Sequence, residues 1–163
     1  MKKNHTLRIG LGRDIHRLIA GRPLILGGIR LPFDKGEAGH SDGDVLCHAI
    51  IDALLGAAAL GDIGELFPDT NPLYKDASSI ELLRTAWNMV QQKMPSSIIN
   101  LDCVITLEKP AILPYKQQIR ERLAAALEIS VDAVYLKGKT AEGLGVVGQG
   151  EAVEAWAVAL LEK

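Results

Sequence analysis

His40-Ser41-Asp42-Gly43-Asp44-Val45-Leu46-Cys47-His48-Ala49-Ile50-Ile51-Asp52-Ala53-Leu54-Leu55-Gly56-Ala57-Ala58-Ala59-Leu60 is the stretch on which the fold turns. From Asp42 to Leu60 the period is helical. Val45, Leu46, Ala49, Ile50, Ala53 and Leu54 recur at spacings of three and four, so one stripe faces a core. Ser41 or Asp42 is placed to cap the helix by accepting its first free N–H groups. His48 falls one turn after Asp44, which puts the two on one helical face.

Upstream, Leu7 to Leu11 reads as a short strand whose end leads into Gly12-Arg13-Asp14-Ile15-His16. Leu24 to Leu31 reads as a second strand region, with Gly27-Gly28 marking a tight turn or bulge. Downstream, Gly61 to Lys75 is a Gly-, Asp- and Pro-rich loop. Ser78-Ser79-Ile80-Glu81 matches a capping box that opens a helix to about Gln92. Ile98 to Leu107 and Val134 to Lys139 read as strands, and a helix runs from Pro114 to Leu127. Thr140 to Gly150 carries four glycines and reads as a functional loop. Glu151 to Glu162 fits both periods, since its alanines favour helix while Val153, Ala155, Ala157 and Ala159 alternate as in a strand. The expected fold is α+β, a mixed sheet with helices on one face, in a single domain spanning 1–163 with 1–6 as a flexible extension.

A chain of 163 residues buries enough surface to stand without staples. Eighteen basic against 20 acidic residues leave a net charge of −2, which gives no electrostatic case for nucleic acid or an anionic membrane. Cys47 and Cys103 form no disulfide framework and read as small buried hydrophobes. The polar start lacks the apolar core of a signal peptide, and the longest apolar run is far too short to span a bilayer, so a cytoplasmic setting is expected.

The chemistry gathers in two clusters. In Asp14-Ile15-His16, extended backbone directs a carboxylate and an imidazole to the same side. The second is His40-Ser41-Asp42-Gly43-Asp44 with His48. Asp14, His16 and His48 make a ligand set suited to Zn²⁺, with a fourth position open for substrate. A bare Asp-x-His is more often an ordinary polar pair, but three of the four histidines of the chain fall in these clusters. Gly61-Asp62-Ile63-Gly64-Glu65-Leu66-Phe67-Pro68-Asp69-Thr70 suits either a polyol-binding loop or a plain turn. Lys139-Thr140-Ala141-Glu142-Gly143-Leu144-Gly145 suits phosphate binding by backbone N–H groups, with Glu142 on a second ion; alone it is a weak signal.

Together these motifs resemble the 2-C-methyl-D-erythritol 2,4-cyclodiphosphate synthase family. The carriers are Asp14-Ile15-His16, His40-Ser41-Asp42-Gly43-Asp44, His48, Gly61-Asp62-Ile63-Gly64, Phe67-Pro68-Asp69-Thr70, Thr140-x-Glu142-x-Leu144-Gly145 and Gly148-x-Gly150-Glu151, from Leu7 to the C-terminus. The resemblance implies cyclisation of 4-diphosphocytidyl-2-C-methyl-D-erythritol 2-phosphate with release of CMP, in the non-mevalonate isoprenoid pathway. It implies Asp14, His16 and His48 as Zn²⁺ ligands, one ion per chain, and Glu142 on a Mg²⁺ or Mn²⁺ at the diphosphate. His40 and Thr140 match residues that stabilise the transition state. Asp14, His16, His40, Ser41, Asp62, Ile63, Gly64, Phe67 and Asp69 match substrate contacts. Lys109, Pro110, Ala111, Ile112 and Leu113 match the segment that cradles cytidine. Lys139, Thr140, Glu142, Val146 and Gln149 fall at further ligand positions. A homotrimer with active sites between chains is implied, and a plastid setting if the source is a plant or alga.

Four positions depart from the family pattern: Ala111 where Lys is common, Lys139 where Thr is common, Val146 for Phe and Gln149 for Arg. The last two touch the region of the trimer axis, where relatives can hold an isoprenoid diphosphate; Gln149 offers no charge there. Two other functions compete. A metal-dependent phosphohydrolase of a nucleotide-linked substrate uses the same open metal position. A metal-stabilised trimeric binding module needs a closed four-ligand site, and only three ligands are found.

Overall fold

The computed structural model describes residues 6–163. The chain forms β1 (Leu7–Ala20), β2 (Leu24–Leu26), β3 (Ile29–Leu31), β4 (Lys35–Glu37), α1 (Val45–Ala58), α2 (Ile63–Leu66), α3 (Ser79–Lys93), β5 (Ser97–Thr106), α4 (Lys116–Leu127), β6 (Val134–Lys139), α5 (Gly145–Gly148) and β7 (Ala152–Glu162). Five strands make one mixed sheet in the order β4-β1-β7-β5-β6, antiparallel except for the parallel β5–β6 pair. The expected α+β architecture is borne out. Of the expected extension at 1–6, only Thr6 lies among the described residues, and its backbone pairs with that of Lys163.

The sheet is two-faced. On β7, Val153, Ala155, Ala157, Ala159 and Leu161 are buried, while Trp156 and Val158 are partly exposed. On β1, Gly10 and Gly12 share the buried face; Leu7, Ile9, Leu11 and Ile15 point outward and stay exposed. Pairing aligns Gly10 with Ala159, Gly12 with Ala157 and Asp14 with Ala155. Helix α1 lies on this strip of small residues and brings its own alanines. A Cβ at Gly12 would stand 1.9 Å from the carbonyl oxygen of Ala49, and one at Gly10 1.8 Å from that of Ala53. The two glycines therefore let the helix backbone rest directly on the strand, closer than any side chain permits. Most of α1 is buried, and α1 and α3 pack together over the core.

Several local expectations change. β1 does not end at Leu11 but continues through Asp14 and His16 to Ala20, because the buried face runs on through Gly10 and Gly12 into polar residues. Residues 152–162 are strand, since their alanines supply the low-profile floor on which α1 sits. α1 starts at Val45, capped by Asp44 rather than Ser41 or Asp42. The buried Asp44 carboxylate accepts from Cys47 N and also from Gly27 N and Gly28 N in the β2–β3 turn. It thus serves the hairpin instead of sharing the His48 site. The Ser78 capping box does not form: Ser78 makes no cap bond, and Asp42 Oδ2 accepts from Ser79 N at 3.1 Å instead. Pro114 lies in a 3-10 turn just before α4. The two expected loops contain the short helices α2 and α5.

Candidate metal centre and flanking clefts

Asp14 and His16 sit on the buried face of β1, two residues apart, just beyond the end covered by Gly12. His48 is one residue before Ala49, whose carbonyl rests over Gly12. The close strand–helix contact thereby sets the spacing of the three side chains. Asp14 Oδ2 lies 2.8 Å from His16 Nε2 and 3.0 Å from His48 Nδ1. One ligand atom from each residue falls within 4.8 Å of the others, among the described residues.

A divalent cation fits this donor set. Two imidazole nitrogens and one carboxylate oxygen converge from a rigid strand and a buried helix turn, and the trio opens into a cleft of about 410 Å³. His16 Nδ1 is buried without a hydrogen-bond partner, whereas His48 Nε2 meets Ser79 Oγ at 3.0 Å and Ser41 Oγ at 3.2 Å. Burial alone would raise the Asp14 pKa. The hydrogen-bonding and electrostatic interactions of His16 and His48 with the carboxylate outweigh it and hold the carboxyl well below the usual range. Asp14 is therefore an anion, as a ligand must be.

The same cleft is lined by His40, Ser41, Ile63, Gly64, Phe67 and Asp69, all named from the sequence, and by Tyr74 and Leu82, which were not. His40 Nε2 lies 3.3 Å from the Asn71 carbonyl. Asp62 caps α2, its Oδ1 accepting from Glu65 N at 2.9 Å, and Asp52 Oδ1 ties α1 to this helix through Ile63 N.

A second cleft of about 460 Å³ lies beside β6, lined by Ala111, Ile112, Leu113, Lys139 and Thr140 with Lys116 and Lys137. Lys137 pairs with Asp102 at 2.7 Å and Lys116 Nζ bonds Tyr135 Oη at 3.0 Å. Thr140 Oγ1 donates to Glu142 Oε1, and Glu108 Oε1 accepts from Ala141 N at 2.7 Å, fixing the turn. The Lys109–Pro110 peptide bond is cis. Lys109, Pro110, Glu142, Val146 and Gln149 line neither cleft, and the two clefts share no residue.

No local pattern singles out Ser79, the buried partner of His48. It stands in what reads as an ordinary helix start.

A family model described as the YgbB family matches residues 7–162. The chain is 50% identical over 155 residues to a 2-C-methyl-D-erythritol 2,4-cyclodiphosphate synthase of Treponema denticola, covering 95% of this chain and 96% of that one. It is 53% identical over 157 residues to the synthase of the same name from Laribacter hongkongensis, covering 96% of each. Among solved structures, a 2C-methyl-D-erythritol-2,4-cyclodiphosphate synthase in a CDP-bound form superposes with TM-score 0.86 at 41% identity, covering 94% of this chain and 99% of that one. The bifunctional IspDF of Campylobacter jejuni superposes with TM-score 0.93 at 36% identity; the match takes in 98% of this chain and 43% of that longer one.

Proposed function

The chain belongs to the YgbB family, and on that premise we propose that its Asp14–His16–His48 centre serves the ring closure for which its relatives are named. The protein is a 2-C-methyl-D-erythritol 2,4-cyclodiphosphate-forming lyase of isoprenoid biosynthesis. The 2-phosphate of 4-diphosphocytidyl-2-C-methyl-D-erythritol 2-phosphate attacks the β-phosphorus of the diphosphate. The bond from that phosphorus to the bridging oxygen breaks, CMP leaves with that oxygen, and no water is consumed. The observation that carries this reading is the three-ligand trio opening into a cleft large enough for a sugar phosphate.

Attack of one phosphate on another brings anions together. A bound Zn²⁺ supplies charge neutralisation and alignment of the phosphate oxygens. Asp14, His16 and His48 hold it. His40 and Ser41 line the same cleft beside the trio, where His40 is placed to meet charge developing on phosphate oxygens. Ile63, Gly64, Phe67 and Asp69 form the wall that folds the erythritol back on itself. Because nucleophile and electrophile belong to one substrate, positioning supplies most of the catalysis and no covalent nucleophile is needed.

Thr140 and Glu142 would act at the diphosphate, where Glu142 would hold a charge-neutralising Mg²⁺ or Mn²⁺, and residues 109–113 would hold the cytidine. These lie at the second cleft or beside it, so a complete site joins the first cleft of one chain to the second cleft of a neighbour. A homotrimer meets that need. The outer sheet face supports it: Leu7, Ile9, Leu11, Trp156 and Val158 form an uncovered apolar surface, with Ile9 at 72% exposure. Contiguous apolar patches of this kind mark interfaces. No helix among the described residues is long and apolar enough to cross a membrane, and we assign the protein to the cytoplasm.

Phosphorus NMR of the products tests the chemistry. CMP with a cyclic diphosphate is expected; CMP with a linear bisphosphate would make the protein a phosphohydrolase. Mixing two inactive variants, one at His48 and one at Thr140, tests the assembly: activity returns only if sites are shared between chains.

A further inference from the structure

His48 offers Nδ1 to the centre and turns Nε2 toward Ser79 Oγ, 3.0 Å away. Ser79 is fully buried at the first position of α3, and its hydroxyl donates to Asp42 Oδ1. A hydroxyl has one hydrogen. Having given it to Asp42, Ser79 Oγ meets His48 only as an acceptor, so the hydrogen of the imidazole stands on Nε2. In the neutral ring the lone pair is then on Nδ1, the nitrogen 3.0 Å from Asp14 Oδ2. Asp42 is held in turn: its Oδ2 accepts from Ser79 N at 3.1 Å and its Oδ1 from Asp44 N at 3.3 Å. Ser41 Oγ, 3.1 Å from Ser79 Oγ and 3.2 Å from His48 Nε2, closes the group.

We propose that Asp42 and Ser79 are positioning residues that hold His48 in its metal-binding tautomer and ring orientation. The relay runs from the Asp42 carboxylate through the Ser79 hydroxyl to Nε2–H, and leaves Nδ1 as the ligand atom. It also joins the start of α3 to the middle of the site, so the metal, His48 and two helices are braced together. The proposal rests on the reading of Asp14, His16 and His48 as zinc ligands.

The test is competition for Zn²⁺ between a chromogenic chelator and the full-length protein, wild type against Ser79→Ala, Ser79→Thr and Ser41→Ala/Ser79→Ala. Ser79→Ala should bind Zn²⁺ about 10- to 100-fold more weakly, the usual cost of losing the partner that orients a ligating histidine. The double variant should fall further, because Ser41 Oγ remains in reach of Nε2 in the single one. Ser79→Thr keeps the hydroxyl and should recover most of the affinity. Thermal unfolding of the metal-free proteins is run in parallel, to separate ligand positioning from general destabilisation. Wild-type affinity in both alanine variants, or a loss that simply follows metal-free stability, overturns the relay. A wild-type protein that does not bind Zn²⁺ would overturn the metal centre itself, a different outcome from failure of the relay alone.

Discussion

Replacing Gly12 by Ala adds one methyl group at the contact that places the candidate metal ligands. Gly12 has an ordinary strand conformation, so the substitution costs no backbone strain; only space is at issue. The new Cβ would lie 1.9 Å from Ala49 O and 2.8 Å from Ala53 N, whereas real contacts essentially never fall under 3.0 Å. Both obstacles are helix backbone, which has no rotamer to change. Raising 1.9 Å to 3.0 Å requires α1 to retreat by about 1.1 Å. His48 travels with it, while Asp14 stays on β1, and the 3.0 Å spacing between them opens by a comparable distance. Metal sites tolerate about 0.2 Å in their bond lengths. Zinc affinity should therefore fall by orders of magnitude, activity by about 100-fold or more, and stability by about 1–3 kcal/mol from overpacking. Gly56→Ala is the control: it lies in the same helix, is exposed, and its Cβ would meet nothing within 4 Å. That variant should be as stable as the wild type or about 1 kcal/mol more so. Metal content by mass spectrometry, chelator competition and denaturant melts measure the pair. Full zinc affinity in Gly12→Ala would show that the helix contact does not set the ligand spacing.

His48→Ala should abolish zinc binding and activity together, since two ligands do not hold the ion tightly; undiminished zinc would reject the assignment. Lys139 and Ala111 line the same cleft, so Lys139→Thr should raise KM for the cytidine substrate at least about tenfold, if Lys139 replaces the positive charge lacking at position 111; unchanged kinetics would separate the two departures. Glu37 is fully buried, and burial together with the nearby Asp44 charge raises its pKa well above 4.5. A carboxyl whose folded pKa is raised contributes stability that is complete below its unfolded value and is lost as pH rises through the folded one. Denaturant melts at pH rising from about 4.5 should show this decline, and Glu37→Gln should flatten it. An identical slope in the variant would exclude Glu37 as its source.

The candidate metal-binding trio was legible because its spacing matches its backbone. Asp14 and His16, two apart, share a face in a strand, and His48 marks a turn of a strongly periodic helix. The rest depended on contacts distant in sequence. Ala155, Ala157 and Ala159 have helix propensity, but the low floor they make for α1 requires a strand, and nothing local reports that demand. Ser41, Asp42 and Asp44 are all competent caps. The β2–β3 turn selects Asp44 by delivering Gly27 N and Gly28 N to its carboxylate, which leaves Asp42 for Ser79. Ser79 was hidden for the same reason: a serine at a helix start has an ordinary local explanation, and its real partners are 31 and 37 residues away.

Asp44 and Glu37 together collect amides from three elements. Asp44 accepts from Gly27 and Gly28 in the hairpin turn and from Cys47 in α1, while Glu37 accepts from Ile25 in β2 and from Val45 at the start of α1. None of these five amides can be released by fraying of one element, because each carboxylate is shared with another. The hairpin and the first turn of α1 should open to solvent as one unit. In native-state hydrogen exchange, these amides should report a common opening free energy, and mild denaturant should bring them into exchange together rather than hairpin first.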